Sequence, residues 1–369
     1  MKIYAAQDQL AKALTSVSRV IMSQNNMPIL AGIQLRAQND TLRLTATDLF
    51  TTLKSEIVVD VESPGEVVIP ATLLTDLVHR IPTATVEIHT DDTSGKTMIK
   101  YGKNHATLLG FGAERLPEFT PLEGARHTFS LPAGVLGKLT RELLFACAKD
   151  EARPVLRGVF IHLESGRLTL VATDGSRLSY TESDIPDYQG GSPSCIVPAK
   201  ILAEGARLNA LDDAEMTIGP NMFEIRTASS VIVSRLLDGK YPDYQRVIPS
   251  DYVAEGRVRV ADFRGALERA NLLASRDHTS SVRIKHESGR LEISASAQEV
   301  GQSVESVEFD SQGEELDMLF NPTYLLDALK SLDGEDAILE FSGVQSPLRI
   351  RNGSHDSYSH ILLPLRQLV

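Results

Sequence analysis

Nine histidines, at positions 79, 89, 105, 127, 162, 278, 286, 355 and 360, and two cysteines, Cys147 and Cys195, are the residues from which a metal or nucleophilic site would be built. Their spacing does not build one. A catalytic zinc helix needs two histidines four apart with a glutamate between them, and a structural zinc site needs cysteines or histidines paired at short intervals. Neither pattern occurs, so neither a metal nor any other cofactor is expected. Both cysteines sit in apolar runs, one of a predicted helix and one of a predicted strand, where they read as buried thiols. Gly95, Lys96 and Thr97 resemble the end of a phosphate-binding loop, but Thr90 stands where the first glycine is needed and the segment joins two predicted strands. It reads as a hairpin tip. GFGAER from Gly110 lacks the third glycine of a dinucleotide loop. Asp174–Gly175 follows an alternating strand and reads as a turn, and no serine occupies a G-x-S-x-G elbow. The chemistry-bearing residue types are present without a constellation, and the chain is expected not to be an enzyme.

The elements around these residues follow a pattern written three times. VVIPATLLTDLVHRIPT begins at Val67, CIVPAKILAEGARLNAL at Cys195 and MLFNPTYLLDALKSLDG at Met318. Each is an apolar run, a proline, and then leucines at helical spacing. Pro70, Pro198 and Pro322 lie 128 and 124 residues apart, too far for a solenoid and suited to three tandem domains. Each proline is expected in the first helical turn, where its missing N–H is not needed. A chain of 369 residues is too long for one ordinary core. The expected domains are 1–124, 125–249 and 250–369.

Within a domain the order repeats again. After a strand over 1–6 and a helix whose Leu10, Leu14 and Val17 share a face, three segments alternate apolar and polar residues, as half-buried antiparallel strands do. The motif helix is followed by three more. Each domain is therefore expected to be a doubled β-α-β-β-β unit of the α+β class, its halves sharing one core because 60 residues alone are marginal. DTLRLTATD at Asp40, GRLTLVATD at Gly166 and GRLEISASA at Gly289 occupy matching places in the three domains.

Hydrophobic content of 42% and charged content of 23% describe an ordinary globular chain. The N-terminus has no apolar signal region and no window approaches 18 uninterrupted apolar residues, so a cytoplasmic location is expected. The net charge of −12 argues at face value against nucleic acid. It is unevenly spread. Six predicted helices (5–19, 70–80, 131–150, 198–208, 261–277 and 321–330) hold twelve Lys/Arg against nine Asp/Glu, which leaves 25 basic and 40 acidic residues elsewhere. A shared helical face would attract phosphate weakly while the remainder repels it; ordinary solvated helix faces are the other reading.

MPIL at Met27, TATDL at Thr45, VATDGSRL at Val171, IVPAK at Ile196, LLDGKYPDYQRVIP at Leu236, FNPTYLLDAL at Phe320 and LLPLR at Leu362 carry a resemblance. On them the whole chain resembles the bacterial DNA polymerase III β subunit family, the sliding clamps. The resemblance implies three clamp-type domains with helices lining an inner face and antiparallel sheets outside, and a homodimer closed head to tail into a ring. It further implies sequence-independent enclosure of double-stranded DNA, and tethering of the replicative polymerase, the clamp loader and repair proteins through linear peptide motifs. No membrane partner is implied. A repeat-built protein-interaction scaffold without DNA binding is the alternative.

Carried over by position, the resemblance places a peptide pocket at Leu156, Thr173, Gly175, Arg177, Leu178, Pro242, Arg246, Val247, Leu363, Pro364, Leu365 and Arg366. Candidate DNA-facing residues are Lys12, Arg19, Gln24, Arg80, Lys138, Arg141, Lys149, Lys200, Arg207, Arg264, Arg269, Arg276 and Lys330. Gln24 stands where similar clamps often carry an arginine. The implied dimer contact joins Leu108 of an edge strand to Leu272 and Leu273 of a domain-three helix, and Ala106 stands where many relatives have phenylalanine. Ser176 replaces a common histidine, and Gln367, Leu368 and Val369 extend beyond the usual end, so motif preference is expected to differ. Each cation is equally readable as a solvated surface charge, and the terminal LLPL as the last strand of a sheet.

Overall fold

The computed structural model describes residues 1–21, 27–91, 94–112, 114–117, 124–276, 280–287, 289–298, 300–354 and 357–366. Among them the doubled unit appears three times. The first third runs β1 (Lys2–Ala6), α1 (Gln7–Ser18), β2 (Gly32–Gln38), β3 (Thr41–Thr47), β4 (Thr51–Val58), β5 (Asp60–Ser63), β6 (Gly65–Pro70), α2 (Ala71–His79), β7 (Thr85–Thr90), β8 (Lys96–Tyr101) and β9 (Asn104–Leu109). The middle third runs β10 (His127–Leu131), α3 (Val135–Leu143), β11 (Gly158–Glu164), β12 (Arg167–Thr173), β13 (Arg177–Asp184), β14 (Ser194–Pro198), α4 (Ala199–Leu208), β15 (Ala214–Ile218), β16 (Met222–Arg226) and β17 (Ser230–Arg235). The last runs β18 (Ala254–Arg259), α5 (Val260–Ala274), β19 (Val282–Glu287), β20 (Arg290–Ala297), β21 (Gly301–Glu308), β22 (Asp310–Gly313), β23 (Leu316–Phe320), α6 (Pro322–Ser331), β24 (Asp336–Phe341), β25 (Leu348–Asn352) and β26 (Tyr358–Leu362).

Two compact units result, and their boundaries do not follow the sequence repeat. One comprises Met1–Leu136 with Lys200–Leu236, the other Gly137–Ala199 with Leu237–Val369, so the middle third contributes strands to both. The first unit holds a five-stranded sheet (β5-β1-β7-β8-β9) and an eight-stranded sheet (β10-β15-β16-β17-β4-β3-β2-β6). The second holds a nine-stranded sheet (β14-β11-β12-β13-β26-β25-β24-β18-β22) and a four-stranded sheet (β21-β20-β19-β23). The named pairings are antiparallel, including the two that join thirds of the chain, β17 with β4 and β26 with β13.

Local chemistry sets the hairpins. Asn39 and Asp40 between β2 and β3, and Ser165 and Gly166 between β11 and β12, have φ of 49°, 54°, 52° and 75°. A two-residue turn in the left-handed region matches the twist of the strands it joins. In the first unit α1 buries Leu10, Leu14 and Val17 and packs on α2, which buries Leu74 and Val78. In the second, α5 and α6 seat Phe263, Leu267, Leu325 and Leu329 in one core with Ile284, Ile293, Leu339 and Ile350. The 3.6-residue and two-residue periodicities meet there on a common apolar interior.

Two expectations need correction. Only Pro322 lies in a first helical turn. Pro70 and Pro198 close β6 and β14, where they stand opposite Gly32 and Gly158 in the ladder, and each helix starts one residue later. The helix expected over 131–150 is confined to Val135–Leu143, followed by a 3-10 turn over Leu144–Ala146. Leu131 instead ends β10. Pro132 and a left-handed Gly134 (φ 78°) form the turn between them, which no α-helix can include.

Candidate peptide-binding and DNA-facing surfaces

The turn joining β12 to β13 is built from its own side chains. Thr173 Oγ1 donates to the Arg177 carbonyl at 2.6 Å and accepts from Gly175 N at 3.0 Å. Asp174 Oδ1 accepts from the backbone N–H groups of Ser176 and Arg177 at 2.9 and 3.1 Å. Gly175 has φ 91°, and a Cβ there would stand 2.6 Å from Arg153 Nη1. The position takes glycine for both reasons.

Arg177, expected as a polar anchor of the pocket, is turned inward and only 7% exposed. Its Nε donates to Asp174 Oδ2 at 3.0 Å, its Nη1 to Asp327 Oδ2 at 2.8 Å, and its Nη2 to the Phe145 carbonyl. The guanidinium also lies 4.1 Å from the centroid of the Tyr324 ring. Asp327 and Tyr324, three residues apart on α6, are therefore structural neighbours of the turn that the sequence reading missed. Their i, i+3 spacing put them on one helix face, but nothing in the sequence named the partner. Beneath them His360 is fully buried, its Nδ1 2.6 Å from Ser179 Oγ. Burial, with the Arg177 charge nearby, pushes its pKa down to about 3. Glu142 accepts from Thr181 Oγ1 at 2.6 Å, and burial raises its pKa. The buried Cys147 and Cys195 thiols are pushed up to about 12 by burial.

Leu156 and Leu178 belong to one apolar cluster with Val171, Ile196, Tyr241 and Ile361. Tyr241 is fixed by a hydrogen bond from its hydroxyl to the Val171 carbonyl at 3.2 Å. Beyond Tyr241 the chain carries Pro242, Arg246 and Val247 on the surface, and Arg246 Nε pairs with Asp243 at 2.8 Å. After β26, Leu363 N donates to the Ser176 carbonyl at 3.2 Å and Leu365 N to the Leu319 carbonyl at 2.7 Å. These bonds hold Pro364 half-buried and leave Leu363, Leu365 and Arg366 exposed beside the turn. The residues expected to form the pocket thus divide into a buried floor and an exposed apolar rim, both within the second unit. Gln367, Leu368 and Val369 lie outside the described residues.

The candidate DNA-facing cations also divide. Lys12 pairs with Asp8 (3.9 Å), Arg19 with Glu204 (3.3 Å), Arg80 with Asp76 (3.4 Å), Lys138 with Glu142 (4.0 Å) and Arg141 with Asp333 (2.7 Å). Arg207 pairs with Glu204 (2.5 Å), Arg264 with Glu268 (3.6 Å) and Arg269 with Glu305 (2.6 Å). Lys149, Lys200, Arg276 and Lys330 are exposed, and no ion pair involves them among the described residues. Gln24 lies outside the described residues. Of the candidate dimer residues, Leu108 is half-buried on the edge strand β9 opposite Thr97. Leu272 is 70% exposed on α5, whereas Leu273 packs partly against the core. Among the described residues no helix is long and apolar enough to cross a membrane.

Comparison with known proteins covers the whole chain. Family models for the DNA polymerase III beta subunit match in order: the N-terminal domain at residues 1–120, the central domain at 130–243 and the C-terminal domain at 245–366. The beta sliding clamp of Bacillus subtilis is 32% identical over 380 residues, covering 99% of this chain and 100% of its own. That of Caulobacter vibrioides is 31% identical over 376 residues, with 99% and 100% coverage. The solved sliding clamp of Bacillus subtilis superposes with a TM-score of 0.93 at 30% identity over 100% of this chain and 99% of that one. The DNA polymerase III beta subunit of Pseudomonas aeruginosa gives 0.93 at 28% identity over the full length of both. The chain belongs to the DNA polymerase III beta subunit family, the beta sliding clamps.

Proposed function

We propose that this DNA sliding clamp works as two copies closed head to tail into a ring around duplex DNA, and that it tethers the replicative polymerase through a peptide held at the rim formed by Val247, Leu363 and Leu365. The observation that carries the reading is the match of three successive clamp domains over nearly the full chain. In this role the protein is an accessory subunit and not a catalyst. The domain limits proposed, near residues 124 and 249, fall between β9 and β10 and between β17 and β18.

Enclosure solves a problem that adhesion cannot. A protein that neutralises many phosphates is slow to move along DNA and loses its hold as salt rises, because each contact releases counterions. A closed ring separates retention from grip. Its inner helices then need only a shallow positive potential, screened over about 8 Å at physiological salt, and no reading of bases. Cations with no ion pair among the described residues suit that task on an otherwise acidic chain, with Lys200 and Lys330 on helices and Lys149 and Arg276 just beyond them as the strongest candidates. The peptide site fits the same division of labour: a fixed turn, a buried apolar floor and exposed leucines suit short linear motifs of the polymerase, clamp loader and repair proteins.

The test is topological. After loading by a bacterial clamp loader and ATP onto a nicked circular plasmid, the protein is expected to co-elute with the circle at high salt and to be released when one restriction enzyme linearises it. Retention that is indifferent to linearisation, or absent on the circle, contradicts enclosure and favours the scaffold reading.

A further inference from the structure

The frame that positions the peptide-site turn occurs twice in the chain. Where β13 meets β26, Arg177 stands opposite Leu362 and Leu178 opposite Ile361. Where β4 meets β17, Thr51 stands opposite Ser234 and Thr52 opposite Val233. Thr47 Oγ1 donates to the Thr51 carbonyl at 2.9 Å and accepts from Leu49 N at 3.2 Å. Asp48 Oδ1 accepts from Phe50 N and Thr51 N at 3.0 and 2.7 Å. Arg235 N donates to the Phe50 carbonyl at 2.9 Å, as Leu363 N does to Ser176. The 3-10 helix Pro28–Ala31 repeats Pro154–Arg157, which makes Met27 the counterpart of Arg153. All of this second frame lies in the first unit.

The backbone is repeated, but the side chains are not. Leu49 and Phe50 replace Gly175 and Ser176. Leu49 adopts φ 74°, a left-handed conformation that glycine takes without strain and leucine does not. Leu49, Phe50 and Met27 are respectively 39%, 62% and 42% exposed. An apolar side chain kept on the surface by a strained backbone marks a functional constraint. Arg235 stands over the Phe50 ring, 5.7 Å from its centroid, and no ion pair involves it among the described residues.

By strand alternation Phe50, Thr52 and Lys54 share one face of the sheet with Val231, Val233 and Arg235. That face runs into an open groove of about 600 Å³ lined by Val233, Val231, Lys54, Arg43 and Arg226 among others. Arg43 and Arg226 are held by Glu56 and Glu224 at 2.6 and 2.5 Å, whereas Lys54, like Arg235, has no ion pair among the described residues. Arg126 and Glu215 also line the groove, so its lining holds four cations against three carboxylates, and Lys54 stands beside the apolar step of Val231 and Val233.

We infer that Met27, Leu49, Phe50 and Arg235, with the groove that continues past Val233 to Lys54, form a second docking site for an extended peptide bearing bulky apolar side chains and separated carboxylates. The occupant is an acidic peptide because its carboxylates complement Arg235 and Lys54 while its apolar side chains cover Phe50 and Leu49. A nucleic-acid strand fits less well, since the cations of the groove are interrupted by Glu56, Glu215 and Glu224 and offer separated positive points in place of a continuous basic track for a polyanion. The choice of a peptide rests in part on reading the equivalent frame at Asp174 as a peptide site.

The test uses the full chain labelled with 13C at methionine and leucine methyl groups, titrated with the synthetic octapeptide EDLFDLFE. The Met27 methyl resonance reports on this site and those of Leu365 on the other. A saturable Met27 shift is expected, unchanged in Leu365→Glu and weakened at least tenfold in Phe50→Ala and in Arg235→Glu. Leu49→Gly relieves the backbone as it removes the side chain, so it is expected to weaken binding with the thermal midpoint held or raised; a merely structural leucine would lower the midpoint and leave binding intact. A shift at Leu365 without one at Met27 overturns this inference alone. A shift at Met27 without one at Leu365 supports it and counts against the first site. Displacement of the peptide by single-stranded DNA at equal concentration would replace the peptide with a nucleic-acid occupant and overturn the inference.

Discussion

Arg177 Nη1 donates to the Asp327 carboxylate across 2.8 Å, joining the first residue of β13 to the middle of α6. The two residues lie in segments matched by different family domains, central and C-terminal. The bond is therefore a tie between domains inside the second compact unit. Asp174 on the same guanidinium makes the tie continuous with the turn beneath the proposed peptide rim.

Replacing Arg177 with leucine would strand two carboxylates and the Phe145 carbonyl in a largely buried place. Removing one partner of a buried pair costs about 3–5 kcal/mol, most of it from the charge left behind. Asp327→Asn retains an acceptor and should cost about 1–2 kcal/mol, the difference between a charge-assisted and a neutral hydrogen bond. Thermal unfolding of the two single variants and the double variant checks this. The double variant is expected to lose less than the sum, and strict additivity would show that the contact carries no coupling.

His360 makes stability depend on pH in a definite direction. Its folded pKa of about 3 lies below the unfolded value of 6.5, so the unfolded chain binds the extra proton between those limits. Stability from this residue is complete above about pH 6.5 and falls as pH drops toward 3, by up to about 1.4 kcal/mol per unit. Glu142 runs the other way: its raised pKa favours the folded state at low pH and withdraws that support as pH climbs above 4.5. Melting curves at pH 7 and pH 5 are expected to separate for the wild type and to draw together in His360→Gln. Equal separation in both would show that another group sets the slope.

The repeat made the six helices and the doubled unit legible, because periodicity and turn chemistry are local. Pro70 and Pro198 were misplaced by one element for a tertiary reason: each fills a ladder position opposite a glycine, and the helix begins after it. Charge counting by helix was blind in another way. Glu204 lies on α4 yet pairs with Arg19 after α1, and Glu305 lies on β21 yet holds Arg269 of α5. Pairing across elements depends on packing that no spacing rule encodes. Arg177 is one such case, with a partner 150 residues away, and Arg141 pairs with Asp333 across 192.

That pairing separates the cations by expected effect on DNA. Lys200→Ala and Lys330→Ala each remove a charge with no ion pair among the described residues. If such a residue meets a phosphate, the slope of log affinity against log salt should fall by about 0.9. Arg269→Ala should leave the slope unchanged, because the charge is already neutralised by Glu305 at 2.6 Å. Titrations of a short duplex at several NaCl concentrations measure all three. An equal change in slope for Arg269→Ala would mean that the ion pair opens on DNA.

The proposed ring closure is expected to concentrate on a leucine. Leu272 is 70% exposed on α5 in the single chain, and the candidate edge strand β9, which carries Leu108, ends its sheet. Burying a leucine contributes about 1.5–3 kcal/mol, and a carboxylate in its place is disfavoured further. A head-to-tail dimer has two equivalent interfaces, so one substitution acts twice. Leu272→Asp is therefore expected to weaken dimerisation by at least about 4 kcal/mol, close to a thousandfold in the dissociation constant. Sedimentation velocity at micromolar protein should show wild type at twice the 40.3 kDa chain mass and the variant at the chain mass. A variant that remains dimeric on dilution to nanomolar would place the interface on another surface, and the enclosure model would need a different closing edge.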